Sequence, residues 1–283
     1  MKRLIVGLIV MGLAGAASAE DIYFVTGGDR LWTTAENWTN SVGANVIPSS
    51  NDVVKVDYTT TTTGLIIDSA DARALALEFA PDGGSLVHNR GDVTINSGAQ
   101  LTLSGDVFPS TAVNSHRKTG YMVNNGTLNA LDIGHPRNGG WHFDNFGTIV
   151  LSGNIDTRRS RPVTFDQYAG SVTCGTLRLG ANGNTNVDPI FNMYGGTVTG
   201  AALVTTSDKG ATLNLHGGTM TFDNVTFFSN TNNVMDVQFP GMLVVEGQNM
   251  TNYLQTAIDD GQITSDGVLD LSYVGGNTFL QVS

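Results

Sequence analysis

Cysteine is almost missing from this sequence: Cys174 stands alone among 283 residues. No intrachain disulfide is possible, and a chain of this length without one relies on its core and its backbone hydrogen bonds. Charge is scarce as well. Asp, Glu, Lys and Arg make up 14% of the chain, against roughly 25% in ordinary globular proteins. That shortage argues against helical bundles and coiled coils, whose surfaces need Glu and Lys. Basic residues are the scarcer sign. Fourteen Lys and Arg face 25 Asp and Glu, a formal net charge of −11, and no Lys or Arg follows Lys209. Such a balance excludes a general binder of nucleic acid or of an anionic membrane. Long apolar runs are missing too, apart from the 12 residues Leu4 to Gly15. A membrane span needs about 20.

That apolar run follows the basic Met1-Lys2-Arg3 and leads into Ala17-Ser18-Ala19, then Glu20-Asp21. A basic start, a short apolar core and a small-x-small site predict a secretory signal peptide over residues 1–19, cleaved after Ala19. No cysteine sits at the site, so a lipoprotein is excluded. The mature chain keeps 12 basic and 25 acidic residues, a net charge of −13. Cys174 lies in the apolar run Val172-Thr173-Cys174, which predicts a buried structural thiol.

What the chain does have is glycine, 35 residues of it, in a recurring setting. Asn96-Ser97-Gly98-Ala99-Gln100-Leu101 returns as Asn124-Asn125-Gly126-Thr127-Leu128, as Asp144-Asn145-Phe146-Gly147-Thr148-Ile149 and as Gln167-Tyr168-Ala169-Gly170-Ser171-Val172. The clearest pair is Asn192-Met193-Tyr194-Gly195-Gly196-Thr197-Val198-Thr199 and Asn214-Leu215-His216-Gly217-Gly218-Thr219-Met220-Thr221. Glycines 98, 126, 147, 170, 196 and 218 are spaced by 28, 21, 23, 26 and 22 residues, a mean of 24. A period in the low twenties, with β-branched strands between glycine corners, marks a solenoid. One coil is too short to bury an apolar face. Stacking coils about 4.8 Å apart buries a shared core and pairs every strand with its neighbours. Asn at the corner tolerates a left-handed backbone and can ladder its amide between coils. The spacing predicts an all-β, single-stranded right-handed parallel β-helix over residues 86–248, in six to eight coils. Leu101, Leu128, Ile149, Val172, Val198 and Met220 should form one inward column.

The ends break the repeat, as capping of exposed strand edges requires. Residues 20–85 form an N-terminal β cap with the first strands, and 249–283 a C-terminal cap. In the latter, Asn249 to Asp260 reads as an amphipathic helix with Tyr253, Leu254, Ala257 and Ile258 on one face and Gly261 as its stop. Leu269 to Val282 reads as a hairpin turning at Val274-Gly275-Gly276-Asn277. The segments Leu31-Trp32-Thr33-Thr34-Ala35-Glu36-Asn37-Trp38 and Ile47-Pro48-Ser49-Ser50-Asn51-Asp52-Val53-Val54 resemble the opening of bacterial secreted β-helix proteins of the autotransporter-like passenger and exosorted (PEP-CTERM-type) group. The closing helix and hairpin resemble the end unit of the same families. The resemblance implies a β-solenoid displayed outside the cell and no single activity. The sequence carries neither the translocator barrel nor the sorting tail of those families, so the likeness is expected to extend to fold and display rather than to autotransport or sorting.

Seven of the 12 mature basic residues fall between 117 and 178. Most lie in apparent corner insertions: His116-Arg117-Lys118, His135-Pro136-Arg137 and Arg158-Arg159-Ser160-Arg161. Their spacing is close to one coil, so they should share an edge. Arg117, Lys118, Arg137, Arg158, Arg159 and Arg161, with Trp141 beside them, are the candidate ligand-binding residues. Arginine forks onto carboxylates or sulfates, and rings such as Trp141, Tyr121 and Phe143 stack on sugar faces, which suits an acidic polysaccharide. The alternative is solvated loops paired with Asp144 and Asp156. The other expected partner is a second copy of the chain, its acidic end docked on a basic edge.

Catalytic and cofactor signals are weak. Some β-helix proteins cleave acidic polysaccharides with an Arg or Lys base and a carboxylate cluster. Here Arg158, Arg159 or Lys118 would be the base and Asp144, Asp156 and Asp166 the acids, but spacings of 12 and 10 do not place those acids on one strand face. His135 and His142 are seven apart, which is not zinc-ligand spacing, so no metal is expected. No phosphate-binding glycine motif is present, and no cofactor is predicted. The leading expectation is a secreted or cell-surface β-solenoid with a structural or adhesive role that binds acidic glycans. A β-helix polysaccharide lyase or hydrolase is the alternative.

Overall fold

The computed structural model describes residues 19–25, 29–56, 64–79, 90–109, 119–134, 140–157, 163–180, 189–205 and 210–283. Residues 1–18 of the predicted signal peptide lie outside them, as do the three basic corner insertions.

The chain is a β-solenoid of about six turns. Among the described residues, the strands form sheets of five, nine and eleven. Along the nine-stranded sheet, Thr119–Asn124, Gly140–Asn145, Val163–Gln167, Ile190–Met193, Thr212–Leu215 and Val234–Val237 pair in parallel, each with the strand one coil away. The eleven-stranded sheet stacks Gln100–Leu103, Thr127–Ala130, Thr148–Leu151, Ser171–Leu179, Thr197–Thr205, Thr219–Val225 and Met242–Val245 in the same way.

The two-residue side-chain period of a strand builds the core between these sheets. In the eleven-stranded sheet, Leu101, Leu128, Ile149, Val172, Val198 and Met220 are register partners in unbroken succession and are fully buried. The expected inward column is therefore present, and Leu243 extends it. Facing it, Met122, Phe143, Phe165, Phe191, Leu213 and Met235 form a second column. Phe143, Phe165 and Phe191 stack with centroids 5.2 and 4.9 Å apart.

Between the columns, at the corner, sits a buried amide ladder. Asn124 Nδ2 donates to Asn145 Oδ1 at 2.7 Å, and Asn145 Nδ2 donates to Gln167 Oε1 at 2.7 Å. The side-chain Oδ1 of Asn124 also accepts from Gly126 N, and that of Asn145 from Gly147 N. One coil further on, the same column becomes apolar with Met193, Leu215 and Val237.

Parallel stacking starts earlier than residue 86. Leu65–Ile67 and Ala72–Ala74 already pair with Arg90–Ile95 and Gln100–Leu103, because Leu65, Ile67, Ala72 and Ala74 have the same inward alternation as later coils. Before them, Asp21–Phe24 pairs antiparallel with Trp38–Asn40. Trp38 is fully buried, edge-on to Trp32 and Phe24, and its Nε1–H donates to the Trp32 carbonyl at 2.8 Å. At the other end, the helix runs Thr251–Asp259, with Leu254 and Ala257 buried. Leu269–Val274 and Asn277–Val282 form the hairpin, which pairs antiparallel onto Met242–Val245. Among the described residues no helix is long and apolar enough to cross a membrane.

Candidate functional site

The strand Gly140–Asn145 alternates Trp141, Phe143 and Asn145 inward with His142 and Asp144 outward. Parallel register then decides what each outward group meets. Asp144 is the partner of Asp166, Asp166 of Asn192, Asn192 of Asn214, and Asn214 of Asp236. The result is a row of carboxylates and amides along the outer face of the nine-stranded sheet. Asn214 Nδ2 donates to Asn192 Oδ1 at 2.7 Å, and Asn192 Nδ2 donates to Asp166 Oδ1 at 2.6 Å. At the far end, Asp236 accepts from Gln238 Nε2 and Thr264 Oγ1 and lies 2.9 Å from His216 Nε2.

The densest point is where His142 meets the two stacked aspartates. Its Nε2 lies 2.9 Å from Asp144 Oδ1 and 2.9 Å from Asp166 Oδ2. Tyr121, the register partner of His142, donates its hydroxyl to Asp144 Oδ2 and sets its ring edge-on to the imidazole. The hydrogen bond to Asp166, helped by the Asp144 charge, holds the His142 pKa above its ordinary value against the effect of burial. Burial pushes Asp166 up, but hydrogen bonds from His142 and Asn192 outweigh it and hold the carboxyl below its usual range.

Beside this row runs an exposed aromatic one. Phe146, Tyr168 and Tyr194 are 44%, 38% and 46% exposed. Their rings are nearly coplanar in orientation, at 6° and 16°, with centroids 4.6 and 5.1 Å apart. Rings stacked in this way cover one another's faces and turn their edges and hydroxyls outward. Burial and the charges of Asp166 and Asp144 raise the pKa of both tyrosines, so their hydroxyls stay protonated donors.

The residues expected to bind are placed as follows. Arg117, Lys118, Arg137, Arg158, Arg159 and Arg161 lie outside the described residues. Trp141 is a correction. It is 6% exposed and packs edge-on to Phe165 at 6.2 Å, so its ring belongs to the core and offers no face to a sugar. Phe143 is buried for the same reason of strand parity. The separation of the acids is also corrected. Asp144 and Asp166 are 22 residues apart, one coil, and are direct neighbours. Asp156 sits elsewhere, buried on Asn154–Asp156 opposite Arg178. Sequence spacing missed His142 because its partners are two residues on and one coil on. The His142-Phe143-Asp144 alternation, with Asp166 one repeat later, is the signal that carries it.

Comparison of the chain with protein-family models, curated proteins and solved structures finds no match. Fold and site together define a β-solenoid with a polar and aromatic outer face.

Proposed function

We propose that this protein is a secreted or cell-surface β-solenoid with a structural and adhesive role, and that it adheres to polysaccharide. The signal-peptide pattern and the likeness to secreted β-helix proteins support the location. The observation that carries the adhesive reading is the half-buried outward row Asn192, Asn214 and Asp236, flanked by the exposed Phe146, Tyr168 and Tyr194. Equivalent hydrogen-bonding groups recur once per coil, about 4.8 Å apart. An extended polymer lying along the solenoid axis meets the same chemistry repeatedly, so weak contacts add through multiplicity. The carboxylates of this face favour hydroxyl-rich sugar units. Acidic units fall to Arg117, Lys118, Arg137, Arg158, Arg159 and Arg161 of the corner insertions.

Pull-down on a panel of neutral and acidic polysaccharides tests the reading. Binding is expected, with Asp236→Asn and Tyr168→Ala weakening it for neutral chains and Arg158→Ser with Arg159→Ser for acidic ones. Retention on none of the panel overturns it. The second reading is a polysaccharide lyase or hydrolase that would use the two neighbouring carboxyls Asp144 and Asp166. Release of new reducing ends from the bound polysaccharide separates that reading from adhesion alone.

A further inference from the structure

We propose that His142, Asp144 and Asp166 form a binding site for one divalent metal ion of the Zn²⁺ class. One donor atom from each residue, converging from adjacent coils, lies within 4.8 Å of the others. The two distances from Nε2 are both 2.9 Å. Metal bonds of about 2.0–2.2 Å to nitrogen and oxygen set neighbouring donors about 3.4 Å apart at the tetrahedral angle of Zn²⁺ and about 3 Å apart at a right angle. The two edges from Nε2 need widen by only about half an ångström to reach the tetrahedral spacing.

Proton counting points the same way. Nε2 carries at most one hydrogen, yet two carboxylate oxygens face it at equal distance. One proton can give the two acceptors only a shared, bent three-centre hydrogen bond, weaker than two straight ones. A metal ion among the three lone pairs serves all of them. The charges agree: a protonated imidazole offsets one of two stacked carboxylates, whereas a divalent ion bound by neutral imidazole offsets both.

The surroundings orient the ligands. Tyr121 donates to the other oxygen of Asp144, and Asn192 Nδ2 to the other oxygen of Asp166 at 2.6 Å. Each carboxylate is thereby left one oxygen for the centre, as outer partners of metal ligands commonly arrange. The site is open on one side. The His142 side chain is 37% exposed, while Asp144 and Asp166 are 13% and 8% exposed. Water or a ligand group completes the coordination from that side. One imidazole with two carboxylates suits Zn²⁺ or its first-row neighbours better than Ca²⁺, which takes six to eight oxygens. The pair His216–Asp236 makes an internal contrast. It has one carboxylate, whose oxygens already receive Gln238 and Thr264.

The test is calorimetric titration of tag-free, chelator-stripped protein with Zn²⁺, with strand content of every variant checked by circular dichroism. Wild type is expected to bind one equivalent and to melt at higher temperature when loaded. His142→Ala should abolish that equivalent, and Asp166→Asn, which keeps the side-chain shape, should weaken it strongly. Tyr121→Phe leaves all three ligands in place and should weaken binding about 10- to 100-fold as a positioning residue. His216→Ala should leave it unchanged. Absence of saturable binding in wild type overturns the proposal. So does an equivalent that survives both His142→Ala and Asp166→Asn, or its loss in His216→Ala alone. If His142→Ala loses its strand signal, the Asp166→Asn and Tyr121→Phe titrations decide.

Discussion

Gly170 is held in place by its neighbour one coil away as much as by its own backbone. Its φ is +68°, and a Cβ there would lie 1.9 Å from the carbonyl oxygen of Gly147. Backbone cannot swing aside as a side-chain tip does. Gly170→Ala should therefore cost more than the roughly 1–3 kcal/mol of an unfavourable φ alone. Gly247, also at +68° but with open space around it, should cost only that amount as Gly247→Ala. Thermal unfolding of the two variants checks the difference. Cys174 makes a second prediction at this scale. Burial pushes its thiol up to about 12 from 9.0. A disulfide reagent at pH 8 should leave it untouched in the folded protein and label it in urea. The raised value means that the folded state keeps its proton while the unfolded state loses it. This residue's effect on stability is thus nil below pH 9, and it lowers stability as pH rises from 9 towards 12.

At the scale of elements, the corner amides and the apolar side chains that succeed them occupy one column. Asn124, Asn145 and Gln167 satisfy one another there, while Met193 and Leu215 do without partners. Replacing Asn145 alone by Leu leaves the Gln167 carbonyl and its neighbours unpaired in a dry corner, at about 1–3 kcal/mol for each such group. Replacing all three amides by Leu or Met together should destabilise less than the sum of the single changes, because no orphan is left behind. Denaturant unfolding of the single and triple variants measures this non-additivity. The amide ladder was legible in the sequence, since Asn124 and Asn145 stand two residues, and Gln167 three, before a corner glycine. Its parity also carried information that a reading of exposed aromatics overlooked. If Asn145 points inward, Phe143 and Trp141 point inward with it, and His142 and Asp144 are the outward pair.

For the whole molecule, charge of opposite sign gathers in different parts of the sequence. Seven acidic residues and no basic one occupy 210–283, whereas seven basic residues lie between 117 and 178. Unlike patches on a long body favour head-to-edge contact between copies, which builds open chains rather than closed rings. The net charge of −13 expected for the mature chain opposes association, so the attraction is local. At physiological salt it is screened within about 8 Å. Sedimentation should show weak self-association at low salt that disappears as salt rises. Arg158→Ser, Arg159→Ser and Arg161→Ser together should reduce it. A monomer at every salt concentration removes the second copy as a partner.

The sequence by itself determined the solenoid, its corner glycines, the column from Leu101 to Met220, and the closing helix and hairpin. Each depends on chemistry repeated within one coil or within a few residues: a two-residue side-chain period, a glycine where the chain turns, an apolar stripe on a helix. Only the tertiary structure decided which outward groups touch. Coil lengths vary from 21 to 28 residues between corner glycines, so the residue one layer away cannot be counted off along the chain. Register is set instead by the inward column, where Phe143 stacks on Phe165 and Phe165 on Phe191. Once those rings are in line, Asp144 must lie beside Asp166, and His142 is brought between two carboxylates that its own sequence neighbours do not reveal.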